Sequence, residues 1–329
     1  MMSEDPFGTQ PRHSMGKRFP DYSDAQASER ASLATEAFKT IWIEHPPQQA
    51  IISRVLKLHR DCLGKRGQPL CGLRLSQDSQ AGKSATFSRV KKLLADQSAA
   101  QGLPQNDYQV LIVGLDKKTS LKSVFQDVLL AMHDPDWNVG TEKALRVRID
   151  EFLRRLGVEL LVVDEIQHLR REGNDVRDVT DALKRWLDTG SVPLALVGNN
   201  DSKAFFERNQ QLCARLGAPL DLTPLTVKKQ RDSVYFKSFC AKFEGALLSS
   251  GAVKMSPGLS DGSILTPLMA ASGGHVGRVA RILEHAVEHA AWRGGLTIEA
   301  YDLSHIVRTY AVPMGWVDHD PFALSECNQ

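Results

Sequence analysis

The sequence predicts an α/β fold, in which a parallel sheet is covered by helices, followed by a second domain built only of helices. Between about residues 69 and 222, short apolar segments alternate with helical patterns. This alternation is typical of parallel strands joined by crossover helices. The first apolar segment leads directly into a Gly-Lys-Ser loop and a helix, and after Thr226 only helical patterns follow.

The composition is that of an ordinary globular protein. Of the 329 residues, 42% are hydrophobic and 24% are charged, and the formal net charge is +2, which neither requires nor excludes a nucleic acid partner. No apolar stretch reaches the length of a membrane span, and the N-terminus has no apolar segment of a secretory signal. The five cysteines are scattered without a C-x-x-C pair, which argues against a disulfide framework or a zinc site. We therefore expect a cytoplasmic protein.

The predicted elements divide the chain into five parts. Residues 1–22 are rich in Pro, Gly, Ser and charge, and we expect a flexible arm there. Residues 23–66 form a helical lead-in, residues 67–225 an α/β core, residues 226–312 a helical domain, and residues 313–329 a C-terminal tail.

The strands of the core are predicted from continuous apolar runs, as expected for strands buried on both faces. They cover residues 69–76, 108–116, 158–165, 192–199 and 218–222. The helices of the core are predicted at residues 83–97, 123–133, 141–157, 176–190 and 201–217. Those of the helical domain are predicted at residues 228–248, 263–272, 275–293 and 298–310.

The segment Leu75–Ser84, LSQDSQAGKS, has the pattern of a phosphate-binding loop between a strand and a helix. At such a loop the helix N-terminus directs backbone N–H groups at phosphates, Lys83 reaches the β- and γ-phosphates, and the Ser84 hydroxyl binds Mg²⁺. Gln77 and Gln80 stand where glycine is usual. A longer side chain can serve at the first position if φ stays negative, so we expect nucleotide binding, with affinity and turnover rate open. The predicted nucleotide contacts are Ser79, Gln80, Ala81, Gly82, Lys83, Ser84 and Ala85.

An acidic pair follows the most hydrophobic predicted strand, LLVVDE. Asp164 is predicted to hold Mg²⁺ through water and to contact the nucleotide site, and Glu165 to polarise the attacking water. Alone, such a pair is often just solvated. After an upstream strand, GKS loop and helix, the pair favours ATP hydrolysis.

Two further polar positions of the α/β core are candidates for the same site. Asn199, at the end of VGNN, is predicted to orient the water or sense the γ-phosphate, with Asn200 as the alternative and an ordinary turn as the simpler interpretation. Arg215 is the candidate arginine finger reaching the nucleotide of a neighbouring subunit, with Arg208 as the alternative.

The helical domain contributes one candidate. In GGHVGRVARILEHA, glycines permit a close approach at the helix start, and Arg278 is predicted to reach the nucleotide. Arg281 is the alternative. For these two arginines, as for the finger candidates, the simpler interpretation is a solvated arginine on a helix surface. His168 has no second histidine or cysteine at metal-ligand spacing, so we expect no metal role for it.

This order of parts resembles the AAA+ P-loop ATPases, which have a C-terminal helical lid. The stretches DEIQHL, VGNN, QQLCARLGAPLDL and GGHVGRVARILEHAVEHA resemble the TniB/TnsC family of transposition ATPases over roughly residues 35–312. The resemblance implies ATP and Mg²⁺ as cofactors and homo-oligomers, rings or helical filaments, on double-stranded DNA. It also implies recruitment of a transposase and in some systems a TniQ-type targeting protein, with hydrolysis disassembling the complex.

The resemblance also implies DNA contacts from the loop after the second strand. The residues there are Lys117, Lys118, Thr119 and Lys122. Lysines that neutralise phosphates give sequence-independent, salt-sensitive binding. A second basic run, residues 170–177, is a further candidate. Two other functions stay open: a helicase loader or initiator, and a nucleotide-gated adaptor with little hydrolysis.

Overall fold

The computed structural model describes residues 22–78, 80–116, 120–170, 174–220, 222–226 and 228–323. The chain divides into two compact units. One unit, the sheet unit, is Pro46–Thr223. The other, the helical unit, joins the described residues up to His45 with those from Pro224 onward. The predicted helical lead-in, residues 23–66, is thus shared between the two units.

Four parallel strands form the sheet: β1 (Gly72–Ser76), β2 (Val110–Gly114), β3 (Leu160–Asp164) and β4 (Leu194–Gly198). Their order across the sheet is β1-β4-β3-β2. Strands β3 and β4 are almost completely buried, because helices pack on both faces, as their continuous apolar sequences predicted.

The strand register brings the functional segments to one edge of the sheet. Ser76 lies opposite Gly198, and Gly114 lies opposite Asp164. Since parallel strands end at the same edge, the residues that follow β1, β3 and β4 are neighbours in space. These are the Gly-Lys-Ser loop, Glu165 and Asn199.

The prediction of a fifth strand at residues 218–222 is wrong, because the described residues of this range form no strand. Leu216, just before this segment, makes an isolated parallel bridge with Gly72, and within the segment Leu220 N donates to Arg74 O at 3.1 Å. Pro219 has no N–H, so it interrupts any regular ladder along the edge of β1.

Twelve helices are assigned among the described residues. They are α1 (Ala25–Lys39), α2 (Pro46–Cys62), α3 (Lys83–Ala100), α4 (Leu121–Ala131), α5 (Glu142–Arg155), α6 (Asn174–Asp188), α7 (Ser202–Arg208), α8 (Gln210–Cys213), α9 (Gln230–Ser250), α10 (Gly262–Ala271), α11 (Val276–Trp292) and α12 (Ala300–Ile306). The single helix predicted over residues 201–217 is two short ones, because Asn209 between them has non-helical φ and ψ.

The helical unit contains α1 and α9 to α12. Phe236, Phe243 and Leu283 lie in its buried apolar core. A 3₁₀ turn (Ile166–Arg170) follows β3 in the sheet unit, and a π-helical turn (Val307–Ala311) follows α12. The described part of the predicted tail packs into the helical core, where Trp316 and Phe322 are buried.

A buried charged cluster joins α11 to α12. Asp302 accepts from His289 Nδ1 at 2.7 Å and from Arg293 Nε and Nη2 at 2.8 Å each. Burial alone would raise the pKa of the Asp302 carboxyl, but the hydrogen bonds from Arg293 and His289 outweigh it and the pKa is lowered. The ionised carboxylate is therefore part of the fold.

Across the part of the chain that the structure describes, no helix has both the length and the hydrophobicity needed to cross a membrane.

Candidate functional site

Two of the described residues in the loop between β1 and α3 are left-handed. Gly82, immediately before α3, has φ of 101°, and Gln80 has φ of 58°. Glycine adopts this conformation freely, whereas it is energetically unfavourable for Gln80. Gln77 does not have a positive φ, so it meets the condition stated above for a longer side chain at the first position of the loop. Ser79 lies outside the described residues.

Lys83 is held beneath the loop. Its Nζ donates to Gln77 O at 3.1 Å and to Asp78 O at 3.2 Å, and the residue is buried. Burial lowers the pKa of Lys83, while the charges of Asp164, Glu165 and Asp78 oppose that shift. An ammonium has three N–H donors, so these two bonds leave one for an anion.

The start of α3 is held by a residue that the sequence analysis missed. Gln48 of α2 donates from Nε2 to Thr86 Oγ1 at 2.8 Å and, more weakly, to Gly82 O at 3.4 Å. Thr86 Oγ1 itself donates to Gly82 O at 2.9 Å. In a planar trans peptide the N–H points away from the C=O, so fixing Gly82 O also fixes the Lys83 N–H. Nothing local distinguishes Gln48 from other polar residues of its helix.

Asp164 and Glu165 lie at the end of β3, as predicted. Glu165 N donates to Asp164 Oδ1 at 2.8 Å. The pKa of Asp164 is raised, first by burial and further by the charge of Glu165, although Lys83 and the bond from Glu165 N lower it. Glu165 has φ of 60°, a conformation unusual for a residue other than glycine.

Gln167, two residues later, is a second residue that sequence reasoning missed. Its Nε2 donates to Glu165 Oε2, and its Oε1 accepts from Asn199 N at 3.1 Å. Gln167 lies in the stretch DEIQHL. The one feature of the sequence that could have pointed to it is that an amide side chain stands close to the acidic pair.

Asn199 and Asn200 both lie at the same edge of the sheet. The Asn199 side chain accepts from Asp201 N at 2.9 Å, which is the local turn considered as the simpler interpretation. Asn200 donates from Nδ2 to Asp78 Oδ1 of the loop. The structure thus joins the β4 end to the loop through Asn200.

A Mg²⁺ ion fits the donor set by its chemistry. The described residues contain no cluster of three or more His, Cys, Asp or Glu that could hold a metal by itself. Mg²⁺ commonly takes one or two protein oxygens and completes its shell with phosphates and water. The exposed Ser84 hydroxyl and the Asp164 carboxylate are the groups that would hold it.

The first finger candidate, Arg215, has partners in α6 and α8. Arg215 makes a bidentate ion pair with Asp188, at 2.6 Å from Nε and 2.8 Å from Nη2. With residues of α4, α5, α6 and α8 it lines a charged cavity of about 650 Å³. Arg208, the alternative, is exposed.

The candidates of the helical unit have partners within that unit. The Arg278 guanidinium lies 5.3 Å from the ring centroid of Trp316. Arg281 pairs with Glu284 at 2.7 Å. Their proposed contact with nucleotide stays a prediction.

The DNA candidates are only partly described. Lys117, Lys118 and Thr119 lie outside the described residues, and Lys122 is exposed in the first turn of α4. In the second basic run, the Arg177 side chain is described and exposed. The Nδ1 atom of His168 makes a hydrogen bond with Leu115 O at 2.6 Å.

This geometry belongs to the AAA+ ATPase fold, a parallel sheet flanked by helices with a helical C-terminal part. Similar solved structures include the Aeropyrum pernix ORC1 protein in complex with DNA, with a TM-score of 0.60, 19% identity, and coverage of 82% of this chain and 65% of that one. The Aeropyrum pernix ORC2 protein in ADPNP–ADP complexes has a TM-score of 0.58 and 14% identity, with coverage of 84% of this chain and 71% of that one. Cdc6p from Pyrobaculum aerophilum has a TM-score of 0.55 and 14% identity, with coverage of 82% of this chain and 69% of that one. At these identities the likeness is one of fold.

The family follows from a sequence match. The model of the family described as "TniB: Bacterial TniB protein" matches residues 35–223, more than half of the chain, and the chain belongs to the TniB family. A search of curated proteins gave no match.

Proposed function

We propose that this protein is an ATP-hydrolysing regulator of DNA transposition. It assembles as a ring or filament on double-stranded DNA of any sequence, recruits a transposase, and disassembles on hydrolysis. We propose a TniQ-type targeting protein as a further partner. Membership of the TniB family supports the transposition role.

One observation carries the proposed chemistry. Lys83, bonded to two loop carbonyls at the start of α3, lies in the field of Asp164 and Glu165 at the same edge of the sheet. A buried lysine and a helix N-terminus bind phosphates, and an adjacent carboxylate can accept the proton of an attacking water. The site therefore combines binding and hydrolysis.

The residues divide the reaction between them. The Lys83 ammonium and the N–H groups at the start of α3 bind the phosphates, and the loop backbone orients them. Glu165 positions the water and takes its proton. A bound Mg²⁺ would neutralise developing charge on the phosphate oxygens, held by Ser84 and Asp164.

Steady-state hydrolysis tests the enzyme directly. Phosphate release by the wild type should exceed that by Glu165→Gln by at least about 100-fold, the lower range for general-base catalysis. Asp150→Asn removes the same charge from α5, where Asp150 accepts a hydrogen bond from Ser191 Oγ, and serves as the control with wild-type turnover. Equal background rates for the wild type and Glu165→Gln would refute hydrolysis.

Assembly has a separate experiment. ATP or a slow analogue should produce multimers on duplex DNA of arbitrary sequence, visible by negative-stain microscopy and sedimentation. Monomers under every combination of nucleotide and DNA would refute the assembly part of the proposal.

Two observations each favour an alternative function. Gln77 and Gln80 replace glycines in the loop, and Gln80 is held left-handed, which suits a nucleotide-gated adaptor with slow turnover. The fold likeness to the Aeropyrum pernix ORC1 protein in complex with DNA suits another DNA-linked role, a helicase loader or initiator. Stimulation of turnover by a transposase would favour the transposition role over both.

A further inference from the structure

Gln167 connects the acidic pair to the neighbouring strand. Its side-chain amide has one partner at each end: Nε2 donates to Glu165 Oε2, and Oε1 accepts from Asn199 N at 3.1 Å. A carboxamide donates only from nitrogen and accepts only through oxygen. Turning the amide over would place its NH₂ group against the Asn199 N–H and its oxygen against the carboxylate, so both partners select one orientation.

The backbone of β4 makes room for this amide. At Gly198, an added Cβ would lie 2.8 Å from Gln167 Oε1, and equally close to Ile166 Cγ2 and Ser202 Cβ. Such distances are too short for a side chain, so glycine is what allows Gln167 to approach the strand end.

The contact continues towards the phosphate-binding loop. Asn199 O accepts from Ser202 Oγ at 2.6 Å, and Ser202 Oγ shares a 2.7 Å hydrogen bond with Ser76 Oγ. Ser76 is the last residue of β1, immediately before the loop. A continuous set of polar contacts therefore joins Glu165 to the strand that carries the loop.

The conformation of Glu165 needs such support. Its left-handed φ of 60° is unfavourable for a residue other than glycine, and such conformations persist where surrounding contacts hold them. The amide of Gln167 holds the carboxylate end of the same residue, while the bond from Glu165 N to Asp164 holds its backbone.

We propose that Gln167 is a positioning residue for hydrolysis, which holds one carboxylate oxygen of Glu165 against the end of β4 and leaves the other oxygen for the attacking water. A general base acts only within hydrogen-bond reach of the proton that it takes. A carboxylate free to rotate about its side-chain bonds would spend much of its time out of reach. The role rests on the proposed hydrolysis at this site.

The decisive experiment is a double-mutant cycle on the full chain. Gln167→Met keeps the shape of the side chain and removes both hydrogen bonds. We expect kcat to fall at least about tenfold, a fraction of the roughly 100- to 10,000-fold that general-base catalysis supplies. The Kd for Mg-ATP should stay unchanged. In a Glu165→Gln background, measured by single turnover, Gln167→Met should cause no further loss, because it acts through Glu165.

Two other variants complete the design. Gln167→Glu keeps the acceptor for Asn199 N but cannot donate to the ionised Glu165, so it should also be slow, and it decides the matter if Gln167→Met does not fold. Gln105→Met is the control, since Gln105 is an exposed glutamine bonded to Asp107 before β2, at the opposite edge of the sheet.

The outcomes separate the two proposals. Wild-type kcat in both Gln167 variants would overturn the positioning role and leave hydrolysis intact, as would an equal loss from Gln167→Met with and without Glu165. A wild type no faster than Glu165→Gln would overturn the proposed hydrolysis, and the positioning role with it.

Discussion

Gln48 and Thr86 are joined by a 2.8 Å hydrogen bond that ties the first turn of α2 to the first turn of α3. Both side chains are buried, and both bond the carbonyl of Gly82. The peptide between Gly82 and Lys83, whose N–H we propose as a phosphate donor, is therefore held by a helix outside the loop.

Gln48→Met should weaken nucleotide binding. Loss of about one net hydrogen bond, about 1 kcal/mol, corresponds to a Kd raised roughly fivefold, while Thr86 still bonds Gly82 O. Fluorescent nucleotide titration measures the effect. Gln49→Met, on the same turn, is the control and should bind as the wild type does. An unchanged Kd for a folded Gln48→Met protein would show that Thr86 alone is sufficient.

Gln77→Met should stabilise the sheet unit. Gln77 is 1% exposed, and neither polar atom of its side chain has a hydrogen-bond partner among the described residues. Leaving an amide buried without a partner costs about 1–3 kcal/mol, so we expect the free energy of unfolding in urea to rise by about 1 kcal/mol.

The matched control is Gln109→Met. Gln109 donates to Glu159 at 2.8 Å and to Ser98 at 3.3 Å, so the same substitution there should destabilise. If Gln77→Met also lowers the free energy of unfolding, the Gln77 amide has a stabilising role in the folded protein.

Arg215→Ala should abolish the turnover that depends on assembly. Arginine fingers contribute about 1,000-fold or more to hydrolysis, so the expected loss is large while nucleotide binding persists. The ion pair with Asp188 would have to open in the assembly. Mixing Arg215→Ala with Glu165→Gln should restore part of the turnover, because each subunit supplies what the other lacks. If Arg208→Ala, rather than Arg215→Ala, shows this loss and rescue, Arg208 is the finger.

Lys117→Ala combined with Lys118→Ala should weaken DNA binding and reduce its salt dependence. Each lost phosphate contact lowers the slope of log K against log salt by about 0.9. Fluorescence anisotropy across a salt series measures the slope. The control is Lys91→Ala combined with Lys92→Ala, which removes the same charge from exposed positions of α3. Equal slopes for the two double variants would place the DNA elsewhere.

Asp302→Asn should destabilise the helical unit. Removing one member of a buried ion pair costs about 3–5 kcal/mol, and Asp302 is fully buried between Arg293 and His289. Asp318→Asn, at an exposed position, should have little effect in the same urea unfolding experiment.

The pH dependence has a defined sign. The folded pKa of Asp302 is lowered, so its contribution is present above the unfolded value of about 3.9 and is lost as the pH falls through the folded value. Wild-type stability should decline in acid below about pH 4, and Asp302→Asn should lack that part of the decline. Parallel acid profiles for the two proteins would contradict the role of the carboxylate.

The strands and helices were largely predictable, because each depends on a local pattern. Continuous apolar runs predicted β1 to β4, and helical spacing predicted most helices to within a few residues. The fifth strand failed at a single residue, Pro219, whose missing N–H outweighs the apolar pattern around it. The predicted helix over residues 201–217 failed at Asn209 for a similarly local reason.

By itself, the sequence determined the phosphate-binding loop, the acidic pair and the edge of the sheet at which they meet, because parallel strands bring their ends together whatever the detailed packing. Only the tertiary structure decided which amides support them. Gln48 reaches Thr86 across 38 positions of sequence, and Gln167 reaches Asn199 across 32. No local pattern encodes such pairs, because their geometry depends on how separate helices and strands pack. The left-handed Glu165 belongs with them, since Gln167, which bonds its carboxylate, is itself held by Asn199 N at the end of β4.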